Sequence, residues 1–272
     1  MSDAKSVVQS AAKTFAVLRA FSTDHPELTI SEVGERAGLD RGTSFRLINT
    51  LVALGYLATI PGTRRFRLTL KCLDLGYAAL SGGGLRAMAA PLLRELVPEQ
   101  ADAASLGVLQ GPDVVYVERV QSDMGRRDLD RRTGSRTGAY AAALGHVLLA
   151  WMPADEARAV LESADRVPLS DRTLVDLDAL MARLAQVRAQ GYATADGENA
   201  YGLRTIAAPV LDASGQARAG ISLTIRSERA ALEDFVAQTR PVLLRLTAEL
   251  TTALQQTEPT AIPQARPTAM RA

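Results

Sequence analysis

A single cysteine, Cys72, leaves this chain unable to form an intrachain disulfide or a cysteine-based metal site. Histidine is almost as scarce. His25 and His146 have no companion at ligand spacing, so no zinc site, no metal and no cofactor are expected. No apolar run approaches the roughly 18 residues that a membrane-spanning helix needs. The opening MSDAKSVVQSAAK lacks the basic start and apolar core of a secretory signal. A net charge of +1 gives no chain-wide excess to attract a polyanion. With 47% hydrophobic and 22% charged residues among 272, the chain reads as an ordinary globular protein. It is expected in the cytoplasm, away from membranes, as a small domain followed by a medium one.

A further absence is local. Aspartate and glutamate make up about one residue in nine overall, yet none occurs in the 33 positions from Arg41 through Leu73. The same window holds Arg41, Arg46, Arg64, Arg65, Arg67 and Lys71, with Asp40 and Asp74 at its borders. Local sign asymmetry of this kind favours phosphate contact even when the whole chain is neutral.

Within and before this window the spacing is helical. Val8, Ala11, Ala12, Phe15, Leu18 and Arg19 recur at threes and fours, and Pro26 ends that pattern. Thr29 with Glu32 three residues later is a capping box for a short helix, ISEVGERA. Gly38 then turns the chain into a third helix, from about Arg41 to Leu54. Ser44, Leu47, Ile48, Leu51 and Leu54 share its inward face, while Gly42, Phe45, Arg46, Asn49 and Ala53 point away. YLATIPGTRRFRLT follows as two short strands around a Pro-Gly turn, tipped by Thr63, Arg64 and Arg65. Two helices joined by a tight turn, followed by a hairpin wing, form a winged helix-turn-helix whose second helix lies in the major groove of DNA. The candidate DNA-contacting residues are Arg41, Thr43, Ser44, Phe45, Arg46, Arg64 and Arg65. A solvated basic face on a small helical domain is the plainer alternative.

The stretch TISEVGERAGLDRGTSFRLINTLVALGYLATIPGTRRFRLTLKCLDLGYAAL resembles the N-terminal region of the IclR family of bacterial transcriptional regulators. The opening VVQSAAKTFAVLRAFSTDHPELT is similar in particular to the branch governing aromatic-acid catabolism, the Pca and Pob regulators. The resemblance runs from about Val8 to Leu254. It implies a winged helix-turn-helix over 1–70, a linker helix over 71–84 that helps pair subunits, and an effector-binding domain over 85–255. The expected fold is α+β: a C-terminal antiparallel sheet flanked by helices, GAF-like. The implied partners are double-stranded operator DNA, a small organic acid and a second copy, as homodimer or tetramer. The linker's Leu73, Leu75, Tyr77 and Leu80 give it more apolar surface than a monomer would leave wet. Residues 256–272, with three prolines, are expected to be a disordered tail.

In the second domain, ASLGVLQGPDVVYVERV reads as a hairpin across Gly111-Pro112, and AAALGHVLLAWM as a helix. A further helix ends at Gly191, LRTIAAPVLDASGQARAGISLTI reads as two strands, and a long helix containing Pro241 closes the domain. The family's ligand sits between the loop entering the central helix and the two long strands. Residue by residue, the resemblance carries this onto Ala142, Ala143, Leu144 and Gly145, facing Asp196, Thr205, Ser222 and Thr224. Ser222 and Thr224, two apart on one strand, share a face, and a helix N-terminus accommodates a carboxylate. Relatives carry proline where Gly138 stands, which implies a looser entrance here. The arginines of residues 126–136 also depart from the family's apolar strand, and the reading for them is a polar surface rather than a cationic pocket wall. No catalytic set is evident. GGGLRA lacks the lysine of a phosphate loop, and Asp196 with Glu198 reads as a solvated turn. The alternatives to a regulator are a small-molecule enzyme with a vestigial helix-turn-helix, and a constitutive architectural protein.

Overall fold

Thr29 and Asp40 set where the helices of the N-terminal region begin. The computed structural model describes residues 7–81, 84–122 and 131–256. Helix α1 spans Gln9–Arg19, strand β1 Glu27–Thr29, α2 Ile30–Ala37 and α3 Arg41–Ala53. Thr29 and Glu32 each accept the other's backbone N–H, so the capping box is complete. The Asp40 carboxylate caps α3 by accepting the Thr43 N–H at 2.9 Å. Between the two helices Gly38 sits at φ 65°, a left-handed conformation that glycine adopts without a steric penalty. Val33, Ile48 and Leu51 then pack with Val17, Ala20 and Phe21 into the core of this unit. On α1 the buried residue is Val17, whereas Val8 and Phe15 of the predicted stripe are exposed in the single chain.

The wing is β2 (Leu57–Thr59) and β3 (Arg65–Leu68), and β1 joins them in the antiparallel order β1-β3-β2. A three-residue strand is too short to carry a readable alternation, which is why spacing misses β1. The chain divides into two compact units after Ala79, inside helix α4 (Cys72–Ser81). Residues 82–83 of the Ser-Gly-Gly-Gly stretch and the expected tail from 257 onward lie outside the described residues.

The second unit opens with α5 (Gly84–Glu95) and the hairpin β4 (Ala103–Gln110) and β5 (Asp113–Gln121). The short β6 (Arg136–Gly138) leads through a 3-10 turn at Ala139–Ala141 into α6 (Ala143–Ala150). Then come α7 (Ala154–Glu162), α8 (Leu177–Gln190), β7 (Ala193–Asp196), β8 (Leu203–Leu211), β9 (Ala217–Arg226) and α9 (Leu232–Gln256). One antiparallel sheet results, in the order β6-β5-β4-β9-β8-β7. Helices cover both faces, in the layered arrangement expected of an α+β domain. Leu106, Ile206, Ile221, Leu223 and Ile225 face α5 and α9, joined by Leu93, Phe235 and Leu243. Alternation sends Ser105, Ala207, Ser222 and Thr224 to the other face, beneath α6. A buried sheet face is ordinarily filled with Val, Ile and Leu, so hydroxyls at those positions mark a place where the core yields to something polar.

Candidate functional site

Two sites emerge, one in each unit. The first is the outer surface of α3 and the wing. Arg41, Phe45, Arg46 and Asn49 are exposed along α3, and its first turn holds no acidic residue. An arginine at the first helical position opposes the helix dipole by a few tenths of a kcal/mol. Such a residue is retained more readily where an external anion compensates. Thr43 is half-buried, with its N–H already given to Asp40. Arg64 is exposed at the wing tip.

Two members of the predicted set are placed differently. Ser44 is fully buried, and its Oγ donates to the Asp40 carbonyl at 2.9 Å. It faces α2, where a Cβ on Gly34 would come within 3.0 Å of that Oγ, so it cannot reach DNA. Arg65 is not a free tip residue. It donates to the Glu27 carbonyl at 2.8 Å and to both oxygens of Glu32 at 3.3 and 3.4 Å, fastening β3 to the start of α2. The bonds that Glu32 accepts from Thr29, and then Arg65, hold its carboxyl below the usual range.

The second site is a narrow cleft over the α6 face of the sheet. Thr205, Ser222 and Thr224 line it from the strands, with Thr205 and Thr224 hydroxyls 3.0 Å apart. Ala142, Ala143 and Leu144 line it from the start of α6. Among the described residues no side chain caps that helix, so its first N–H groups have no capping partner there. Leu144 descends onto the sheet between Gly107 and Gly220, where added Cβ atoms would meet its methyls at 3.0 and 2.9 Å.

Sequence spacing does not find the remaining walls. Tyr116, Arg119 and Arg131 line one side, and Glu198 and Asn199, between β7 and β8, line the other. Glu198 is only 8% exposed, not a solvated turn residue as its neighbours suggest. Arg183 reaches its Oε1 at 3.2 Å, while Oε2 has no partner among the described residues. Burial raises the Glu198 carboxyl, and the Arg183 charge partly offsets this.

Two predicted pocket residues support the cleft without lining it. Gly145 lies inside α6, where a Cβ would fall 2.0 Å from the Ala139 carbonyl oxygen, so only glycine lets the 3-10 turn cross the helix. Asp196 is held by Arg172 at 2.7 Å and Arg204 at 3.0 Å. His146, wholly buried, donates from Nε2 to the Tyr140 carbonyl at 2.7 Å. Burial lowers its pKa to about 4, so the ring stays neutral and pins that turn to α6. Gly138 does not loosen the entrance, because a Cβ there would meet the Tyr140 ring at 2.5 Å. The ring occupies the space a proline would take, and its hydroxyl donates to the Val167 carbonyl at 2.8 Å.

The arginine-rich stretch divides. Arg136 is exposed and pairs with Asp113 at 3.6 Å, in keeping with a polar surface. Arg131 lines the cleft instead. Arg126 and Arg127 lie outside the described residues. Among the described residues no acidic, histidine or cysteine cluster could hold a metal ion, and no helix is long and apolar enough to cross a membrane.

Comparison with known proteins gives both units relatives. The model of the IclR helix-turn-helix domain matches residues 10–61, and that of the bacterial transcriptional regulator IclR C-terminal domain matches 77–250. The Pca regulon regulatory protein of Pseudomonas putida is 35% identical over 241 residues, covering 89% of this chain and 82% of that protein. The HTH-type transcriptional regulator KdgR of Escherichia coli K12 is 33% identical over 246 residues, covering 89% and 93%. These identities are too close to set the chain in the Pca branch rather than another. A solved IclR homolog from Microbacterium hydrocarbonoxydans, complexed with 4-hydroxybenzoate, superposes with a TM-score of 0.75 at 27% identity. That match covers 90% of this chain and 99% of the other. These relatives are regulators, not enzymes.

Proposed function

This chain belongs to the IclR family of transcriptional regulators, and we propose that it is a cytoplasmic regulator of operator DNA whose control signal is a small organic acid bound beneath α6. The observation that carries the ligand reading is the pairing of an uncapped helix start with buried hydroxyls on the facing strands. The α6 amides and dipole favour a carboxylate, and Ser222, Thr224 and Thr205 supply further donors. The 4-hydroxybenzoate held by the Microbacterium relative supports an acid, and an aromatic one is among those to try. For DNA, the proposed contacts are Arg41, Thr43, Phe45, Arg46 and Arg64. Arg46 clamps a phosphate, and Phe45 presses on a thymine methyl.

Pairing of two copies, as dimer or tetramer, is supported by α4, where Leu73 and Leu75 remain 63% and 52% exposed in the single chain. Two recognition helices about one turn of duplex apart then address a palindrome. An acid that prefers one arrangement of the pair shifts operator affinity.

The test is a mobility-shift titration on the chain's own upstream region, with and without a panel of organic acids. An active acid is expected to change the apparent Kd, and Ser222→Ala with Thr224→Val to abolish that response while leaving acid-free DNA binding intact. An acid response that survives both substitutions refutes the pocket.

A further inference from the structure

We propose that Lys71 is a positioning residue for DNA binding. It locks the end of the recognition helix α3 to the start of α4, and thereby fixes the half-site spacing that a pair of chains accepts. This rests on the pairing of two copies proposed above and assigns the joint that gives such a pair its geometry. Lys71 is the one lysine of the acid-free window, where the other cations are arginines. An arginine fork matches a phosphate, whereas a lysine ammonium is a compact charge with three donors. Lys71 directs that charge inward, onto the backbone of its own unit.

Helix α3 holds no basic residue in its last turn. The last carbonyls of a helix lack partners within it, and the partial negative charge they carry attracts a cation. Here three successive carbonyls, those of Leu54, Gly55 and Tyr56, are met by the segment that follows the wing. The Lys71 ammonium donates to the Leu54 carbonyl at 2.9 Å, and the Thr69 hydroxyl to the Gly55 carbonyl at 2.6 Å. The Thr69 N–H donates to the Tyr56 carbonyl at 2.9 Å, and the Cys72 thiol reaches the same oxygen at 3.7 Å. Gly55, at φ 79°, makes the left-handed turn that closes the helix. The Lys71 ammonium also stands over the Tyr56 ring, 5.2 Å from its centroid, a second attraction that holds it in place.

The consequence is geometric. Thr69, Leu70 and Lys71 are all that separates β3 from α4, and two of the three are bonded to the end of α3. The direction in which α4 leaves α3 is therefore tied down at its first residue. Leu73 and Leu75, the exposed residues on which the pairing reading rests, follow directly. In a pair, the same joint sets how far apart and at what angle two copies of α3 meet the duplex. Lys71 is exposed, and water competes for its bond, so the contribution to folding is modest. Removing the charge should loosen an angle while the unit stays folded.

The experiment is a mobility-shift titration of the full-length protein on the operator footprinted in its own upstream region, with one or two base pairs inserted or removed between the half-sites. One base pair turns the second half-site by about a tenth of a helical turn. Wild type is expected to lose about tenfold in affinity at each such step, and Lys71→Met, which keeps the stem without the charge, about threefold or less. Thr69→Val removes a separate bond of the same joint and should flatten the profile likewise. Lys71→Arg, which keeps a charged donor, should retain the wild-type profile. At the native spacing, Lys71→Met should show the salt dependence of wild type, because Lys71 neutralises no phosphate. A profile as steep in Lys71→Met as in wild type would overturn the proposal. So would a uniform loss at every spacing with the salt slope lowered by about one counterion, which makes Lys71 a phosphate contact. Should Lys71→Met fail to fold, the profile of Thr69→Val decides in the same way. If wild type is itself indifferent to spacing, the pairing reading fails, and the proposal with it.

Discussion

The outer face of α3 and the cleft under α6 both present arginine, yet they hold it in opposite ways. Arg41, Arg46 and Arg64 stand in water on a contiguous stretch of chain, with no acid in the helix's first turn. Arg119 and Arg131 are half-buried, bonded to hydroxyls, and brought together with residues more than 90 positions away. An exposed cationic face needs only a helix that forms. A cleft needs every surrounding backbone to sit within tenths of an ångström. Changes that crowd the backbone around the cleft should therefore act through structure, and those on α3 through binding.

Glycine-to-alanine exchange tests this most severely. In α6, Gly145→Ala places a Cβ 2.0 Å from the Ala139 carbonyl oxygen and 2.4 Å from its Cα. Backbone atoms cannot yield as a side chain can, so we expect a loss of ~3 kcal/mol or more, or failure of the second unit to fold. In α3, a Cβ on Gly42 meets only the Asp40 Oδ1 at 3.3 Å. There the helical gain of alanine, up to about 1 kcal/mol, is set against a small shift of the cap. Thermal unfolding of the two variants followed by circular dichroism should separate them widely. Equal effects would dissolve the contrast.

Acid tests the cleft from another side. His146 is neutral in the folded chain, its pKa lowered to about 4 by burial, whereas an unfolded histidine protonates near 6.5. Between those values the unfolded state binds more protons. The contribution of His146 is therefore fully present above pH 6.5 and is lost as pH falls towards 4, by about 3 kcal/mol. His146→Gln keeps a donor for the Tyr140 carbonyl and does not titrate. The stability difference between wild type and variant is expected to shift in the variant's favour as pH falls from 7 to 4.5, in urea titrations. A constant difference would mean that the ring is not held neutral.

The two regions also differ in how much of them the sequence discloses. The α3 face, the capping box and the wing are legible because the residues that make them are neighbours, related by helical or hairpin spacing. Ser222 and Thr224 are legible for the same reason, being two apart on one strand. Tyr116 and Arg119 are not, since a bulge overrides the alternation that would separate them. Glu198 reads as a turn carboxylate, and only tertiary packing shows it buried, with Ser170 and Thr173 bonded to its carbonyl. Arg131 lies in an arginine-rich stretch that is visible in the sequence, but nothing in its spacing tells a cleft wall from a polar surface.

The smallest effects lie in the wing, where two adjacent arginines separate the roles of binding and structure. Arg64 is exposed at the tip; Arg65 spans the Glu27 carbonyl and the Glu32 carboxylate. If Arg64 meets a phosphate, Arg64→Ala should weaken DNA binding uniformly across sequences and lower the salt dependence by about one counterion. Its unfolding midpoint should not move. Arg65→Ala should do the reverse. It removes a half-exposed ion pair and a carbonyl bond, lowering the stability of the first unit by about 1 kcal/mol or less, and should leave the salt slope unchanged. Measured side by side, the salt slope and the midpoint must move in different variants. A loss of slope in Arg65→Ala would return that residue to the DNA-contacting set and show that the ion pair with Glu32 opens when DNA binds.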